Sequence, residues 1–127
     1  MAEDILVIDD DPAVRKAFLL ALEDSKYQVD AAESGESGIS LLTKKDYGMI
    51  FLDLKMPGMN GAETLRALRK INRNIPVYIV TAFHKEFLED LQSLRQEGIK
   101  FELLRKPLGG DEILMIANSV LNKPVAY

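Results

Sequence analysis

The chain has 127 residues, 47% of them hydrophobic and 28% charged, which indicates one globular domain rather than a disordered chain. It contains no cysteine, which excludes disulfides and thiolate metal sites, and no apolar run approaches the roughly 20 residues that span a bilayer. The net charge of −4 disfavours nucleic acid as a ligand. Because the first residues also lack the basic start of a signal peptide, we expect a cytoplasmic domain that binds neither membrane nor nucleic acid.

Five short apolar runs alternate with five stretches of helical periodicity. The first, third and fourth runs are nearly continuous in Ile, Val, Leu and Phe, which is typical of strands buried on both faces, whereas the second is more polar and indicates an edge strand. Such alternation predicts a parallel sheet with helices on both faces. The predicted strands are Ile5–Asp9, Gln28–Ala31, Met49–Asp53, Pro76–Thr81 and Phe101–Leu104.

The helical stretches have apolar residues every three or four positions and recognisable ends. Asp11 followed by Pro12 predicts an N-cap and a first helical residue, and Ser34 and Asn60 are predicted N-caps of the second and third helices. Gly98 is expected in the left-handed conformation after the fourth helix. The apolar stripes comprise Val14, Phe18 and Leu22; Ile39 and Leu42; Leu65, Leu68 and Ile71; Phe87, Leu91 and Leu94; and Ile113, Ala117 and Val120.

No repeat, low-complexity segment or change of composition divides the chain. We therefore predict one domain over residues 1–121. Residues 122–127 then form a C-terminal tail, which is either a natural end or the beginning of a linker to a further domain.

Acidic residues follow two of the predicted strands. Asp9, Asp10 and Asp11 come after the first strand, and Asp53 ends the third. Helix capping explains Asp11, but additional like charges at ~4 Å repel by about 4 kcal/mol at an effective dielectric constant near 20. A divalent cation would relieve this repulsion, and hard oxygen ligands select Mg²⁺ or Ca²⁺. The pattern thus indicates a cation site at the carboxyl edge of the sheet.

Two further polar residues reach the same edge. Thr81 ends the fourth strand, and Lys106, followed by Pro107, comes after the fifth. Each has an ordinary structural explanation, as a β-branched strand residue or helix cap and as a surface lysine before a strand-ending proline. Their functional interpretation is that a hydroxyl and an ammonium group beside Asp53 would bind an added phosphate.

These four motifs, in this order, resemble the receiver domain of two-component response regulators, the family of the chemotaxis response regulator. The resemblance covers residues 4 to 121 and implies a flavodoxin-like (βα)5 fold of class α/β, with strand order 2-1-3-4-5. The motifs are LVIDDDP at residues 6–12, DLKMPGMNG at 53–61, VTA at 80–82 and RKP at 105–107.

The resemblance assigns the acidic residues to phosphoryl transfer. Asp53 corresponds to the phosphoacceptor, whose carboxylate attacks the phosphohistidine of a sensor histidine kinase or phosphotransfer protein. Mg²⁺ is the implied cofactor: Asp10 corresponds to a direct ligand and Asp9 to an acid that acts indirectly on the ion. Asp53 and the backbone carbonyl of Lys55 complete the implied ligand set.

The remaining family positions concern switching. Thr81 and Lys106 correspond to residues that bind the phosphoryl oxygens, and the Lys106–Pro107 bond is implied to be cis. The resemblance further implies that a movement of Thr81 changes the face formed by the fourth helix, fifth strand and fifth helix, which can dimerise or contact an output domain or downstream protein. The implied protein is a signalling domain rather than a conventional enzyme, although it catalyses its own phosphotransfer and slow dephosphorylation.

The sequence departs from the family at one position of interest. The family usually has an aromatic residue where this chain has Leu103, and Phe101 lies two residues earlier on the same face of the strand. Lys55 and Phe83 are bulky residues beside the expected path of attacking water, which predicts slow loss of the phosphoryl group. His84, the only histidine, is interpreted as a solvated loop residue rather than a phosphorelay histidine.

Three other functions remain open. One is a receiver-shaped interaction module that does not use phosphorylation, which the intact acidic, threonine and lysine set disfavours. Another is a flavodoxin of the same topology, but the DDDP loop at residues 9–12 would repel a flavin phosphate. The third is an independent hydrolase, for which no base outside the acidic cluster is evident.

Overall fold

The computed structural model describes residues 4–82 and 85–122, in which five strands and five helices alternate along the chain. The strands are β1 (Ile5–Ile8), β2 (Val29–Ala32), β3 (Met49–Asp53), β4 (Val77–Thr81) and β5 (Glu102–Arg105). The helices are α1 (Pro12–Leu22), α2 (Gly35–Lys44), α3 (Gly61–Ile71), α4 (Leu88–Gln96) and α5 (Gly110–Leu121), and a 3-10 turn (Lys85–Phe87) precedes α4.

All strand pairs are parallel, and the order is β2-β1-β3-β4-β5. This order confirms the expected flavodoxin-like arrangement and the position of β2 at an edge. The strand bounds differ by at most one residue from those predicted: β1 stops before Asp9, and β2 and β5 each begin and end one residue later than expected. Ile8 lies opposite Leu52, Leu52 opposite Ile79, and Ile79 opposite Leu103, so the carboxyl ends of the four strands lie at one level.

The helices divide between the two faces of the sheet, and each face has its own buried cluster. Leu6 and Ile8 point into one cluster, which α2, α3 and α4 cover, while Ile5 and Val7 point into the other, which α1 and α5 cover. These four side chains are at most 1% exposed. Burial of one such side chain is worth about 1.5–3 kcal/mol, so the continuous apolar strands account for the sheet's position between two helical layers.

The predicted helix ends are confirmed. Asp11, Ser34 and Asn60 accept hydrogen bonds from backbone N–H groups as N-caps of α1, α2 and α3, and Gly98 has a φ of 76° after α4. One apolar residue behaves differently from its predicted place in a buried stripe: Ile71 is 45% exposed, because it is the last residue of α3.

The loop after β3 approaches α3 closely. A side chain at Gly61 would place its Cβ atom 2.7 Å from the Leu54 Cα atom and 2.5 Å from the backbone oxygen of Asp53. The Gly61 N–H instead donates to the Leu54 carbonyl at 2.8 Å. Glycine at the first position of α3 therefore allows the chain to turn directly beneath Asp53.

Helix α5 ends at Leu121, where the predicted domain ends, but the proposed boundary and the role of residues 122–127 stay predictions. Residues 123–127 lie outside the described residues. Among the helices that the structure describes, none combines the length and the apolar character needed to cross a membrane.

Candidate functional site

The parallel strands bring the predicted site residues together at the carboxyl edge of the sheet. Asp9 and Asp10 follow β1, Asp53 ends β3, Thr81 ends β4 and Lys106 follows β5. The backbone N–H of Lys106 donates to the Thr81 carbonyl at 2.9 Å, which continues the β4–β5 pairing up to the site. All five line one pocket of about 230 Å³, together with Asp11, Lys55 and Ala82.

Lys106 joins the two buried carboxylates. Its Nζ atom lies 2.9 Å from Asp53 Oδ1 and 3.3 Å from Asp9 Oδ2. The two acidic side chains are only 6% and 4% exposed, so water screens these contacts poorly. The Lys106–Pro107 peptide bond is cis, as the resemblance implies.

Burial makes the negative charge of this site costly. It raises the pKa of Asp53 from 3.8 to about 6; the hydrogen bond from Lys106 opposes this effect, and the charge of Asp9 reinforces it. Burial also raises the pKa of Asp9, against the hydrogen bond from the Asp11 N–H and the charge of Lys106. Burial alone would lower the pKa of Lys106, but its contacts with Asp53 and Asp9 outweigh burial and raise it.

The acidic residues fit a hard divalent cation. Oxygen atoms of Asp9, Asp10 and Asp53 lie within 4.8 Å of one another. Asp9 and Asp53 are buried, whereas Asp10 is exposed, so the group is partly open to solvent. A cluster that contains carboxylate oxygens and no sulfur is suited to Mg²⁺ or Ca²⁺, and a bound cation would offset the repulsion between the three acids.

The backbone around β1 holds Asp9 in place. The Asp11 N–H donates to Asp9 Oδ1 at 2.9 Å, and the guanidinium group of Arg15 donates to the Asp9 carbonyl at 2.8 Å. Asp11 itself accepts a hydrogen bond from the Ala13 N–H at 2.9 Å, so it serves as the predicted helix cap while also lining the pocket. Sequence reasoning did not predict the role of Arg15, for which the only signal is its place four residues after Asp11 on α1.

A second feature missed from the sequence lies at the mouth of the site. Lys55 Nζ is 3.4 Å from Glu86 Oε1, and both side chains are about 60% exposed. The pair connects the loop after β3 with the 3-10 turn before α4. Phe83, expected beside Lys55, and His84 both lie outside the described residues.

The expected departure in β5 is visible in the packing. Leu103 is half-buried against the cluster under α2, α3 and α4, and Phe101 belongs to the same cluster. Phe101 is 6% exposed, and the guanidinium carbon of Arg95 lies 4.4 Å from its ring centroid. Leu103 on β5 and Phe101, the residue directly before β5, therefore pack on the same face of the sheet, as the alternation predicts, and Arg95 of α4 contacts the aromatic ring.

Comparisons with known proteins show the family to which the chain belongs. Residues 5–118 match the response regulator receiver domain family. The chain is 33% identical over 113 residues to sporulation initiation phosphotransferase F of Bacillus subtilis (strain 168), covering 89% of each protein. It is 30% identical to transcriptional regulatory protein GlrR of Escherichia coli (strain K12), covering 94% of this chain but only 26% of GlrR. The chain thus spans about a quarter of the length of that relative.

Solved structures show the same architecture. Chemotaxis protein CheY4 of Vibrio cholerae superposes with a TM-score of 0.81 at 27% identity, covering 95% of this chain and 99% of that one. A receiver domain from Clostridium thermocellum gives a TM-score of 0.80 at 29% identity, with 97% and 96% covered. Sequence, fold and the acidic site agree: the chain belongs to the receiver domain family of two-component response regulators.

Proposed function

We propose that the domain accepts a phosphoryl group on Asp53 from the phosphohistidine of a sensor histidine kinase or phosphotransfer protein. The observation that carries this proposal is the contact of Lys106 with Asp53 at 2.9 Å and with Asp9 at 3.3 Å inside an acidic pocket. A lysine in this position keeps Asp53 ionised for attack, and it can pair with the phosphoryl oxygens once they arrive.

The proposed step is a displacement at phosphorus. A carboxylate oxygen of Asp53 forms the new O–P bond while the N–P bond of the donor breaks, and the imidazole nitrogen keeps the electron pair and takes a proton from solvent. The product is an acyl phosphate on Asp53 and a neutral histidine on the donor. Thr81, which ends β4 beside the pocket, would donate its hydroxyl to a phosphoryl oxygen opposite Lys106.

Mg²⁺ is the proposed cofactor, held by Asp9, Asp10, Asp53 and the backbone carbonyl of Lys55. The closeness of the three carboxylates supports this assignment. When bound, the ion neutralises negative charge on the acids and on the incoming phosphoryl group. Lys106 contributes one positive charge against three clustered carboxylates. Because this leaves excess negative charge where the phosphoryl group would bind, phosphorylation is expected to depend on the metal.

The proposed output is a change at the face formed by α4, β5 and α5. Two exposed apolar side chains, Leu88 on α4 and Met115 on α5, are 50% and 64% exposed. Such residues are suited to contact with an output domain, a downstream protein or a second copy of the chain. The net charge of −4 supports protein rather than nucleic acid as the direct partner, and we place the domain in the cytoplasm.

The test is intact-protein mass spectrometry after incubation with Mg²⁺ and acetyl phosphate. The wild-type chain is expected to gain the mass of one phosphoryl group, and chelation of the metal should prevent the gain. The Asp53→Asn variant should gain none, whereas Asp30→Asn, which changes a carboxylate outside the pocket, should behave as wild type. A wild-type chain that stays unmodified, or an Asp53→Asn variant that is modified as well as wild type, would favour a phosphorylation-independent interaction module instead.

A further inference from the structure

A second concentration of charge lies at the opposite edge of the sheet, where β4 and β5 begin, and it is basic. Arg69, Arg73 and Lys100 line a pocket of about 420 Å³. The same three residues and Asn74 also line an adjoining pocket of about 370 Å³. Neither pocket shares a residue with the phosphoacceptor site, so this edge calls for its own explanation.

Arg69 lines the inner side of this pocket and is held there by backbone carbonyl groups. It lies in the last turn of α3, and its guanidinium group donates to the Ile75 carbonyl at 2.8 Å and to the Lys100 carbonyl at 2.7 Å. Its Nε atom is buried and has no hydrogen-bond partner among the described residues. Burial lowers the pKa of Arg69, which indicates that its charge is poorly solvated.

The positive charge of the pocket is not balanced locally. Within residues 4–82 and 85–122, no carboxylate forms an ion pair with Arg69, Arg73 or Lys100. Glu97, at the edge of the adjoining pocket, is engaged by Arg66 at 2.8 Å. Glu102 is the acid at the rim of the larger pocket. An anion that enters would therefore meet three cations and one opposing carboxylate.

The rest of the larger pocket is apolar or neutral. Pro76 and Val120 provide aliphatic surface, half-buried Tyr78 provides an aromatic side chain, and Asn74 and Ser119 provide neutral polar groups. The volume of this cavity is within the range of small-molecule sites. Because one side is cationic and the other is apolar, the cavity suits a ligand that has an anionic group and an apolar part.

We propose that this pocket binds a small organic phosphate of about the size of a nucleoside monophosphate. Arg73 and Lys100 are exposed and would contact the phosphate, since a guanidinium group pairs with phosphate in a bidentate manner and an ammonium group adds a point charge. Arg69, held by backbone carbonyls, would supply fixed positive charge behind them. The planar part of the ligand would lie against Tyr78, Pro76 and Val120.

The test is a titration of the full chain with adenosine 5′-monophosphate, without Mg²⁺, followed by the amide signals in NMR spectra. Saturable shifts are expected at Asn74, Lys100 and Ser119, and the doubly substituted Arg73→Gln, Lys100→Gln chain should bind at least about tenfold more weakly. Lys70→Gln removes an exposed cation on α3 that does not line the pocket, and it should leave binding unchanged. Glu102→Gln should tighten binding, because it removes the opposing charge.

Separate outcomes overturn the proposal. Shifts that do not saturate, shifts confined to residues around Asp53, or equal binding by wild type and the double variant would each exclude the pocket as a phosphate site. Inorganic phosphate binding as tightly as the nucleotide would exclude the organic ligand. Since the pocket is separate from the phosphoacceptor, Asp53→Asn should leave nucleotide binding intact, and failure of either proposal does not affect the other.

Discussion

Two clusters, each of one lysine and two aspartates, lie at opposite edges of the same sheet, and they differ in how deeply the aspartates are buried. At the carboxyl edge, Lys106 lies between Asp9 and Asp53, whose side chains are 4% and 6% exposed. At the amino edge, Lys45 lies 2.9 Å from Asp4 and 3.0 Å from Asp30, whose side chains are 26% and 37% exposed. Both arrangements place one ammonium group between two acids.

The pKa values of Asp53 and Asp30, one aspartate from each cluster, are shifted in opposite directions. Burial raises the pKa of Asp53 to about 6, because one lysine does not compensate for lost hydration and for the charge of Asp9. The pKa of Asp30 is lowered, chiefly by the hydrogen bond from the Tyr47 hydroxyl at 2.7 Å and also by Lys45, against a smaller effect of burial. The ionised form of Asp53 therefore costs folding free energy, as charges at functional sites often do, whereas the ionised form of Asp30 stabilises the fold.

The largest expected difference between the two lysines is in phosphorylation. Lys106→Gln should slow phosphorylation by acetyl phosphate by roughly 100-fold, because it removes a charge that stabilises the phosphoryl group in a water-poor site. Lys45→Gln removes an equivalent charge from the other cluster and should leave the rate unchanged. Mass spectrometry over a time course measures both. A comparable loss in the two variants would mean that lysine substitution acts through the fold rather than through the site.

The two aspartates should differ in the sign of their effect on stability. In metal-free protein at pH 7.5, Asp53→Asn is expected to raise the free energy of unfolding by about 1–3 kcal/mol, since it removes a buried charge whose pKa is raised. Asp30→Asn should lower it by about 0.5–1 kcal/mol, because it weakens a partly exposed network. Urea unfolding of both variants beside wild type measures the difference.

The free energy of unfolding should also depend on pH in opposite ways for Asp53 and Asp30. Asp53 is protonated more readily in the folded chain, so the advantage of Asp53→Asn should grow as the pH rises from 3.8 to about 6 and then stay constant. The folded pKa of Asp30 lies below 3.8, so its contribution is complete above that pH and is lost as the pH falls through the folded pKa. If both substitutions changed the free energy of unfolding in the same direction at pH 7.5, the conclusion that ionised Asp53 destabilises the fold and ionised Asp30 stabilises it would be wrong.

The sequence predicted the carboxyl edge better than the amino edge, for a physical reason. Apolar runs that end in Asp53 and Thr81 show in the sequence which polar residues lie at the carboxyl ends of strands. Parallel pairing of these strands then brings the polar residues together. Contacts between long exposed side chains, such as Lys55 with Glu86, depend on loop conformation that no periodicity encodes. The same applies to Lys45, which reaches Asp30 across fifteen residues of chain.

A smaller effect is expected from the Tyr47 hydroxyl. The ring of Tyr47 is buried at 5% exposure, while its hydroxyl donates to Asp30 at 2.7 Å, so Tyr47→Phe removes the hydrogen bond and preserves the packing. The free energy of unfolding should fall by about 1 kcal/mol at pH 7.5, and the loss should be much smaller in an Asp30→Ala background, where the side chain at position 30 accepts no hydrogen bond. Urea unfolding of the two single variants and the double variant measures the coupling. Independent, additive losses would show that the hydroxyl does not act through Asp30.

The smallest expected effect concerns an exposed ion pair at the carboxyl edge. In its exposure to solvent this pair resembles the Lys45 cluster more than it resembles the buried aspartates of the phosphoacceptor site. Lys55 and Glu86 are about 60% exposed, and a pair of this kind is worth about 0.2–1 kcal/mol. If the pair restricts water at the mouth of the site, Lys55→Ala and Glu86→Gln should each speed loss of the phosphoryl group about two- to fivefold.

The double variant should be no faster than the faster single variant, because both remove the same contact. Lys85→Gln, which changes an exposed cation beside Glu86, is the matched control and should retain the wild-type rate. The measurement is the decay of the phosphorylated mass after removal of acetyl phosphate, at low and high salt. An ion pair that gates the site should lose its effect in high salt, so a difference between wild type and Glu86→Gln that persists there would locate the barrier to water in the bulk of the Lys55 side chain rather than in its charge.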